Sequence, residues 1–551
     1  MNRTLRWATY GLTLLIIGLG ALAIQPGIAG LFHDDGIYLS VARSLAEGHG
    51  YRLGNLPGSP LQTKYPFLYS GLLSILWRIV PPFPASIPFL KATSVFSLGA
   101  IALLSARWYA RRVGNLESWQ LVFVFLVCLN PMVLPFVDYT LTELPFMALC
   151  LAALCIGESF PSGMDPETPS SLQQRSTLLL AVTVGAAFLL RQAAAPLILG
   201  GAVLFVRSRR YDLLTRYASV VSLAVLPWLL FKWMANGPAV SPLLSYYLGY
   251  EPSVVELATR GGSASLRVVG DNLWYLANTL DRVLLLRAAP SLRVLVYPLV
   301  FWGLARHVAR PVGLLHWFAA GYLALLVLWP WHPGRYLLPL LPLMPLGLIL
   351  GTRELWELVD HTIAPHWGRL LGRAVVTAPL ATVVLLSLGW TSAFLHRSDA
   401  VRLWFVADSE YGWEGFEETF AWVRDNTGPT DVLATALDPV YYLYTNRQAV
   451  RPWFHQPWTY FYPIEHPNPR IGSAAEVQAA LEDLGVRYLI VDPLTGYVEK
   501  DAAYELFRAL LERYTGPEFD GDPNLRFVSS DTLHRVYELP RRVASAENAP
   551  P

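Results

Sequence analysis

The chain has 551 residues, of which 54% are hydrophobic and 15% charged, with a mean hydropathy of +0.37 and a formal net charge of +1. Apolar runs of membrane-spanning length recur from the N-terminus to about residue 395, which excludes an ordinary soluble protein and describes a polytopic membrane protein. The near-neutral balance leaves no electrostatic footprint for nucleic acid, and the three cysteines, Cys128, Cys150 and Cys155, sit in apolar runs, where buried thiols are expected rather than disulfides.

The runs are continuous rather than alternating, so helices are the expected spanning element, each satisfying its own backbone in hydrocarbon. Arg3 and Arg6 ahead of the first run, with "AIQPGIAG" after it, resemble a signal peptide. The many spans that follow favour a retained first span. About eleven spans are expected, near 7–24, 86–106, 119–136, 142–158, 176–190, 193–206, 217–235, 291–305, 312–330, 336–351 and 374–395. Their number follows from the basic clusters "ARWYARR" (106–112), "VRSRRYDLLTR" (206–216), "ARHVAR" (305–310) and 353–373, which fall together on the cytoplasmic side under one parity only. That parity puts the N-terminus in the cytoplasm and requires the apolar stretch 63–82 not to cross. Pro66 at its start, Arg78 near its end and Pro81-Pro82 after it suit a short interfacial helix.

The outer face then owns residues 25–86, 138–143, 236–290, 329–336 and everything after about 398. The tail is charged and aromatic. "FEETFAWVRDNTGPTDVLATAL" reads as helix, turn and strand, and "EVQAALEDLGVRYLIVD" as helix, glycine stop and buried strand. A mainly α chain is therefore expected: a transmembrane helical bundle over 1–397 with outer interfacial helices, a small extracytoplasmic α/β domain over 398–540, and a disordered end over 541–551.

The outer face also gathers charge. "LFHDDGIYLSVARSLAEGHGY" (31–51) follows the first span and places Asp34 and Asp35 at the water–lipid boundary. Read as structure alone, one of them caps a short helix whose Ile37, Val41 and Leu45 face the bilayer and which Gly48 stops. A cap needs one carboxylate, and the second is left over. Asp138 and Glu143 in "FVDYTLTELPFM" fall at the next outer turn, where carboxylates are costly and are functional candidates; Glu143 could equally open a helix. Lys64, Arg191 and Arg335 supply a basic set on the same face, and His332 sits beside Arg335 in "WPWHPGRY" as a phosphate or sugar contact or an interfacial anchor. Acids and bases gathered on one membrane face describe a site for an anionic, phosphorylated, lipid-borne substrate.

"DDGIYLSVARSLAEGHGY" after the first span, "TKYPFLYSGLLSILWRI" before the second, "TLTELPF" before the fourth and "HPGRYLLPLLPL" before a late one resemble the GT-C glycosyltransferases. Within that superfamily they are most similar to the protein O-mannosyltransferases and the bacterial aminoarabinose transferase of lipid A, glycosyltransferase families 39 and 83. The likeness covers the order of elements over about residues 1–350. It implies that Asp34 activates the acceptor, that Asp35 stands where the family often has a glutamate, that Lys64 lies beside the donor phosphate, that Glu143 is the later acidic residue, and that Arg335 and Tyr336 belong to an "RY-LP" stretch at the polyprenyl phosphate. The tripeptide around Glu143 only approximates the family's versions.

Transfer from a polyprenyl-phosphate sugar needs a base for the acceptor hydroxyl and a clamp on the departing phosphate, which is already a stable anion and needs no acid. One aspartate can be that base, with Lys64 and Arg335 stabilising developing charge. Direct displacement then inverts the anomeric carbon, because no second carboxylate is demanded as nucleophile. No cofactor is required by this chemistry. A divalent ion (Mg or Mn), as in oligosaccharyltransferase relatives, would be held by Asp34, Asp35 and Glu143. The reading is an inverting hexosyl- or pentosyltransferase of the bacterial inner membrane, taking a polyprenyl-phosphate donor and a protein, lipid or cell-envelope glycan as acceptor. Its rivals are a flippase for a lipid-linked glycan, which should carry mid-membrane charges and repeat symmetry, and a noncatalytic scaffold with an outer binding domain. No repeat is present, nor any P-loop, Rossmann glycine pattern or H-E-x-x-H.

Overall fold

A computed structural model describes residues 3–114, 119–160, 171–235, 241–259, 262–308, 313–362, 366–396, 413–452, 474–491, 526–530 and 535–539. From the N-terminus, α1 (Arg3–Leu22) leads through a loop to two short helices, α2 (Asp34–Ala46) and α3 (Phe67–Ile79). There follow α4 (Ile87–Val113), α5 (Trp119–Cys128), α6 (Glu143–Gly157), α7 (Ser171–Leu190), α8 (Ala195–Arg207) and α9 (Tyr211–Ala235). Next come α10 (Ser245–Leu248), α11 (Glu251–Thr259) and α12 (Gly262–Val283), then α13 (Arg293–Val308), α14 (Leu314–Leu328), α15 (Leu343–Thr362) and α16 (His366–His396). Four stretches, Arg3–Leu22, Ile87–Val113, Tyr211–Met234 and Gly368–His396, are long and apolar enough to cross a membrane; α5, α6 and α14 are apolar but shorter. The chain is a mainly helical polytopic membrane protein.

Proline accounts for two departures from the expected runs. The 119–136 run breaks after Cys128, where Asn130 and Pro131 interrupt the helix and a 3₁₀ turn, Leu134–Asp138, follows. The 336–351 run likewise opens as a 3₁₀ turn, Arg335–Leu340, containing Pro339, and helix α15 begins only at Leu343, after Pro342. Proline removes an N–H donor and clashes with the preceding turn. The segment 236–290, which the basic clusters assign to the outer face, carries α10 to α12. Gly347 and Gly351 let α15 lie directly on α13: a Cβ on Gly351 would run into the Leu299 carbonyl oxygen, the close approach that paired small residues allow.

The chain ends in a small open-sheet domain: α17 (Trp413–Asn426), β1 (Val432–Ala434), α18 (Asp438–Thr445), β2 (Ala449–Val450), α19 (Ala474–Asp483), β3 (Val486–Val491), β4 (Arg526–Ser530) and β5 (Arg535–Glu538). The strand order is β2-β1-β3-β5-β4; β1 runs parallel to β2 and β3, and β5 pairs antiparallel with β3 and β4. The helix-turn-strand readings at 416–437 and 476–492 match α17 with β1 and α19 with β3, and Gly485 stops α19 at φ +68°. The expected boundary at 397/398, the tail 541–551 and most of the aromatic stretch 451–463 lie outside the described residues.

One expectation is reversed. Ile37 and Val41 do not face lipid: they are buried in a core that also holds Val432, Ala434, Tyr442 and Leu443 of the C-terminal domain. The reason is that α18 covers α2. Gly36 makes the contact possible, since a Cβ there would stand 2.6 Å from the Pro439 Cβ. Tyr444 adds a hydroxyl that donates to the Gly27 carbonyl (2.8 Å), and the Ala449 N–H donates to the Asn55 carbonyl (2.7 Å). As expected, α3 is a short helix entered at Pro66 with one exposed apolar edge (Phe67, Leu72, Ile75, Ile79), and its Arg78 donates to the Leu45 and Ala46 carbonyls at the end of α2. The three cysteines are buried thiols.

Candidate active site

The two adjacent aspartates are sent in different directions by one residue. His33 has φ 65° and ψ −61°, and the Asp34 N–H donates to the Phe32 carbonyl at 2.8 Å. This is a γ-turn with positive φ, a rare conformation that costs a non-glycine residue about 1–3 kcal/mol. Behind it, the Asp35 carboxylate accepts N–H bonds from Gly30 (3.0 Å), Phe32 (2.9 Å) and Gly36 (2.9 Å). Burial pushes Asp35 up to about 6 against those donors. Asp35 thus ties down the turn and is not on the cavity wall.

Asp34 is on the cavity wall. Its Oδ1 accepts from the Tyr65 hydroxyl (2.7 Å) and its Oδ2 from Arg335 Nη2. Burial pushes its carboxyl up, but Arg335, His33 and Lys64 together outweigh burial and hold it well below the usual carboxylate range. The carboxylate is ionised and points at the space where a hydroxyl could approach.

The cavity measures about 300 Å³, and its wall includes Lys64, Tyr65, Glu143, Arg191, Tyr250 and Tyr336 besides Asp34. Arg335 lies behind this lining and bridges the two acids: its Nη1 stands 3.4 Å from Glu143 Oε1, and Arg191 Nη1 approaches the same oxygen at 2.8 Å. Both guanidinium groups lie against the Tyr336 ring, 4.8 Å (Arg191) and 5.0 Å (Arg335) from its centroid. Glu143 is charge-paired, yet neither of its oxygens is aligned for a hydrogen bond. A buried carboxylate with spare acceptor capacity is suited to a substrate hydroxyl. Lys64 is 2% exposed; its Nζ donates to the Tyr246 carbonyl (2.8 Å) and sits over the rings of Tyr246 (3.5 Å) and Tyr250 (4.7 Å). Burial brings its ammonium down to about 7, with Asp34 opposing and Arg451 and Arg335 adding to the fall.

Two of the sequence candidates stand elsewhere. Asp138 is buried beside Lys91, whose Nζ reaches its Oδ1 at 2.7 Å, and the same oxygen accepts the Gln25 N–H at 2.7 Å. This pair fastens the end of α1 to α4 and is absent from the cavity wall. His332 stacks on Tyr275, ring centroids 4.4 Å apart, and is also off the wall. Sequence reasoning missed Tyr65, Tyr246, Tyr250 and Trp329. Tyr65 follows Lys64 directly, and "SYYLGY" (245–250) carries an aromatic density that could have been read as a cage.

The set expected to hold a divalent ion does not fit one. Asp34 and Glu143 each face a guanidinium, Asp35 is spent on backbone donors, and among the described residues no group of three or more His, Cys, Asp and Glu could hold a metal ion.

No family model matches the chain, and no curated protein matches it in sequence. Solved structures do match. ArnT from Cupriavidus metallidurans, bound to undecaprenyl phosphate, is similar at a TM-score of 0.57 with 12% identity, over 98% of this chain and 98% of that one. The archaeal oligosaccharyltransferase AglB from Archaeoglobus fulgidus, in complex with an inhibitory peptide and a dolichol-phosphate, gives 0.53 with 11% identity, over 91% of this chain and 72% of that one. The Archaeoglobus fulgidus oligosaccharyltransferase in complex with Zn and sulfate gives 0.51 with 14% identity, over 91% and 71%. At these identities the likeness is one of fold alone: the chain shares the overall fold of these solved structures.

Proposed function

We propose that the protein is an inverting glycosyltransferase that moves a sugar from a polyprenyl-phosphate donor to a hydroxyl of a protein, lipid or envelope glycan, at the outer face of a bacterial cytoplasmic membrane. The observation that carries this reading is the cavity, where an ionised, buried carboxylate faces the same space as Lys64 and Arg191, with Arg335 close behind. Asp34 takes the proton as the acceptor oxygen bonds to the anomeric carbon, and the bond from that carbon to the phosphate oxygen breaks with its electron pair going to the phosphate. Lys64, Arg335 and Arg191 stabilise that charge, and Glu143 and Tyr336 orient the donor. Asp35 acts through the turn that presents Asp34. Fold neighbours bound to undecaprenyl phosphate and dolichol-phosphate support the donor class; the motifs resemble families 39 and 83, and the proposed topology has about eleven spans with a cytoplasmic N-terminus.

Glu143 opens α6, Arg191 follows α7 and Arg335 precedes α15, so the charges sit at helix ends. Mid-membrane charges on broken helices would have favoured transport.

The test is incubation of the protein in lipid with a panel of radiolabelled polyprenyl-phosphate sugars and a membrane extract as acceptor. Label transfer from at least one donor is expected; none from any donor returns the weight to transport or scaffold.

A pH dependence follows from Lys64. Its charged form is lost as pH rises through about 7, so kcat/KM for the donor should decline above that pH, with the kcat limb shifted higher because bound phosphate favours the ammonium. Lys64→Arg keeps the charge and should move the decline out of the neutral range. An unchanged alkaline limb in that variant would remove Lys64 from the phosphate clamp.

A further inference from the structure

The buried carboxylate of Asp438 belongs to the C-terminal domain yet turns toward the γ-turn before α2. Asp438 is 0% exposed. Its Oδ2 accepts from Asn55 Nδ2 (2.9 Å), and its Oδ1 stands 3.2 Å from His33 Nε2 and 3.5 Å from Arg451 Nε. A carboxylate only accepts, so His33 Nε2 carries the proton in this contact. Two hydrogen-bonding side chains, His33 and Asn55, and the Arg451 guanidinium, whose Nε donates to the Ala436 carbonyl (3.3 Å), converge from separate segments on one residue at the first turn of α18.

His33 is the residue on which the direction of Asp34 depends. Its backbone holds the positive-φ turn, and its ring, whose Nδ1 stands 3.9 Å from Asp34 Oδ1, packs against the rings of Tyr246 and Tyr247 at 5.7 and 5.6 Å. A strained turn persists only where its surroundings over-determine it. Asp35 supplies part of that restraint through the backbone; the restraint on the His33 side chain comes from another domain, 405 residues away in sequence. Pro439, next to Asp438, packs against Gly36 and seats α18 on the first turn of α2.

We infer that Asp438 is a positioning residue for Asp34: by clamping His33 and Asn55 it holds the turn that aims the Asp34 carboxylate into the cavity, so the C-terminal domain is part of the transferase site. This role rests on the transferase reading above. Asp438 touches no reacting atom. Its effect should therefore fall on the rate of transfer and spare the affinity for donor.

The test uses the full chain in lipid nanodiscs, comparing wild type with Asp438→Asn, His33→Gly and the double variant. The amide keeps the shape of the side chain but puts an NH₂ against converging donors. His33→Gly removes the clamped ring at a position where glycine relaxes the backbone. For Asp438→Asn, kcat should fall about a hundredfold, the size of loss that an ångström-scale misplacement produces, with donor KM within about twofold and the chain folded at the assay temperature, its melting temperature lowered because the amide leaves buried donors unpaired. The double variant should lose no more than the worse single one, since both break one contact. Hydrogen exchange should quicken at the amides of residues 30–36 and not across the domain.

Unchanged kcat in Asp438→Asn overturns the inference. So does a fall in kcat that tracks the melting temperature with exchange raised throughout the domain, which marks a purely architectural role. Absence of transfer by the wild type overturns the transferase reading itself, and local exchange at 30–36 then identifies the clamp as a fold contact only.

Discussion

Asp34→Asn is expected to slow label transfer by about a thousandfold or more, within the range that a positioned general base contributes, while donor affinity stays the same or tightens. The amide is isosteric and can still accept from the Tyr65 hydroxyl, which lies 2.7 Å from Oδ1, but it cannot take the acceptor's proton. Donor affinity is spared because the ion pair between Arg335 and Asp34 competes with the donor phosphate for the same guanidinium. The same competition resolves an apparent difficulty. A carboxylate held well below its usual range by Arg335, His33 and Lys64 is a weak base, but a phosphate that draws off Arg335 restores its basicity when the substrate is in place. Single-turnover transfer together with equilibrium donor binding measures both quantities. A variant that transfers at the wild-type rate would take the base assignment away from Asp34.

Arg335→Gln is the second large effect. It should cut kcat/KM for the donor about 10²- to 10³-fold, as loss of a preorganised charge at a developing anion does, and it should also lower stability. Arg335 is the counter-charge shared by Asp34 and Glu143; removing one partner of a buried pair costs about 3–5 kcal/mol. Arg335→Lys should recover little, because an ammonium has no fork with which to bridge two carboxylates. Combining Arg335→Gln with Asp34→Asn should restore part of the melting temperature and none of the activity, which separates the electrostatic strain of the fold from the chemistry. Donor kinetics indifferent to Arg335→Gln would remove it from the phosphate clamp.

The two variants probe one arrangement made from distant parts of the chain. Asp34 and Arg335 are 301 residues apart, and Lys64 reaches the Tyr246 carbonyl across 182. The C-terminal domain closes over α2, so the helix that carries Asp34 is buried between a helical bundle and a sheet domain. An ionised side chain enclosed in this way is less screened by salt and water than the same side chain on a surface, which is why single changes here should have large effects.

Much of this was legible in one dimension. Hydropathy and basic clusters outlined where the helices run, because helix formation in an apolar run is a local property. Pro66 and Arg78 marked α3 as a short helix, and glycine stops with helix-strand alternation announced the C-terminal domain. Short motifs named Asp34, Lys64, Glu143 and Arg335, and the expected outer basic set added Arg191; the structure brings all five to one cavity and its immediate backing. The tertiary structure decided the rest. Asp34 and Asp35 are neighbours with identical side chains, and apart from the motif resemblance that points to Asp34 no local pattern tells them apart; the positive φ of His33 turns one toward the cavity and the other onto backbone N–H groups. Asp138 looked like Glu143 in sequence until Lys91, one turn into α4, claimed it. Ile37 and Val41 read as lipid-facing because burial by protein and burial by lipid have the same apolar signature, and only the docking of α18 distinguishes them. Composition and local pattern determine which segments are helical and which residues carry charge; which charges meet depends on packing between segments hundreds of residues apart.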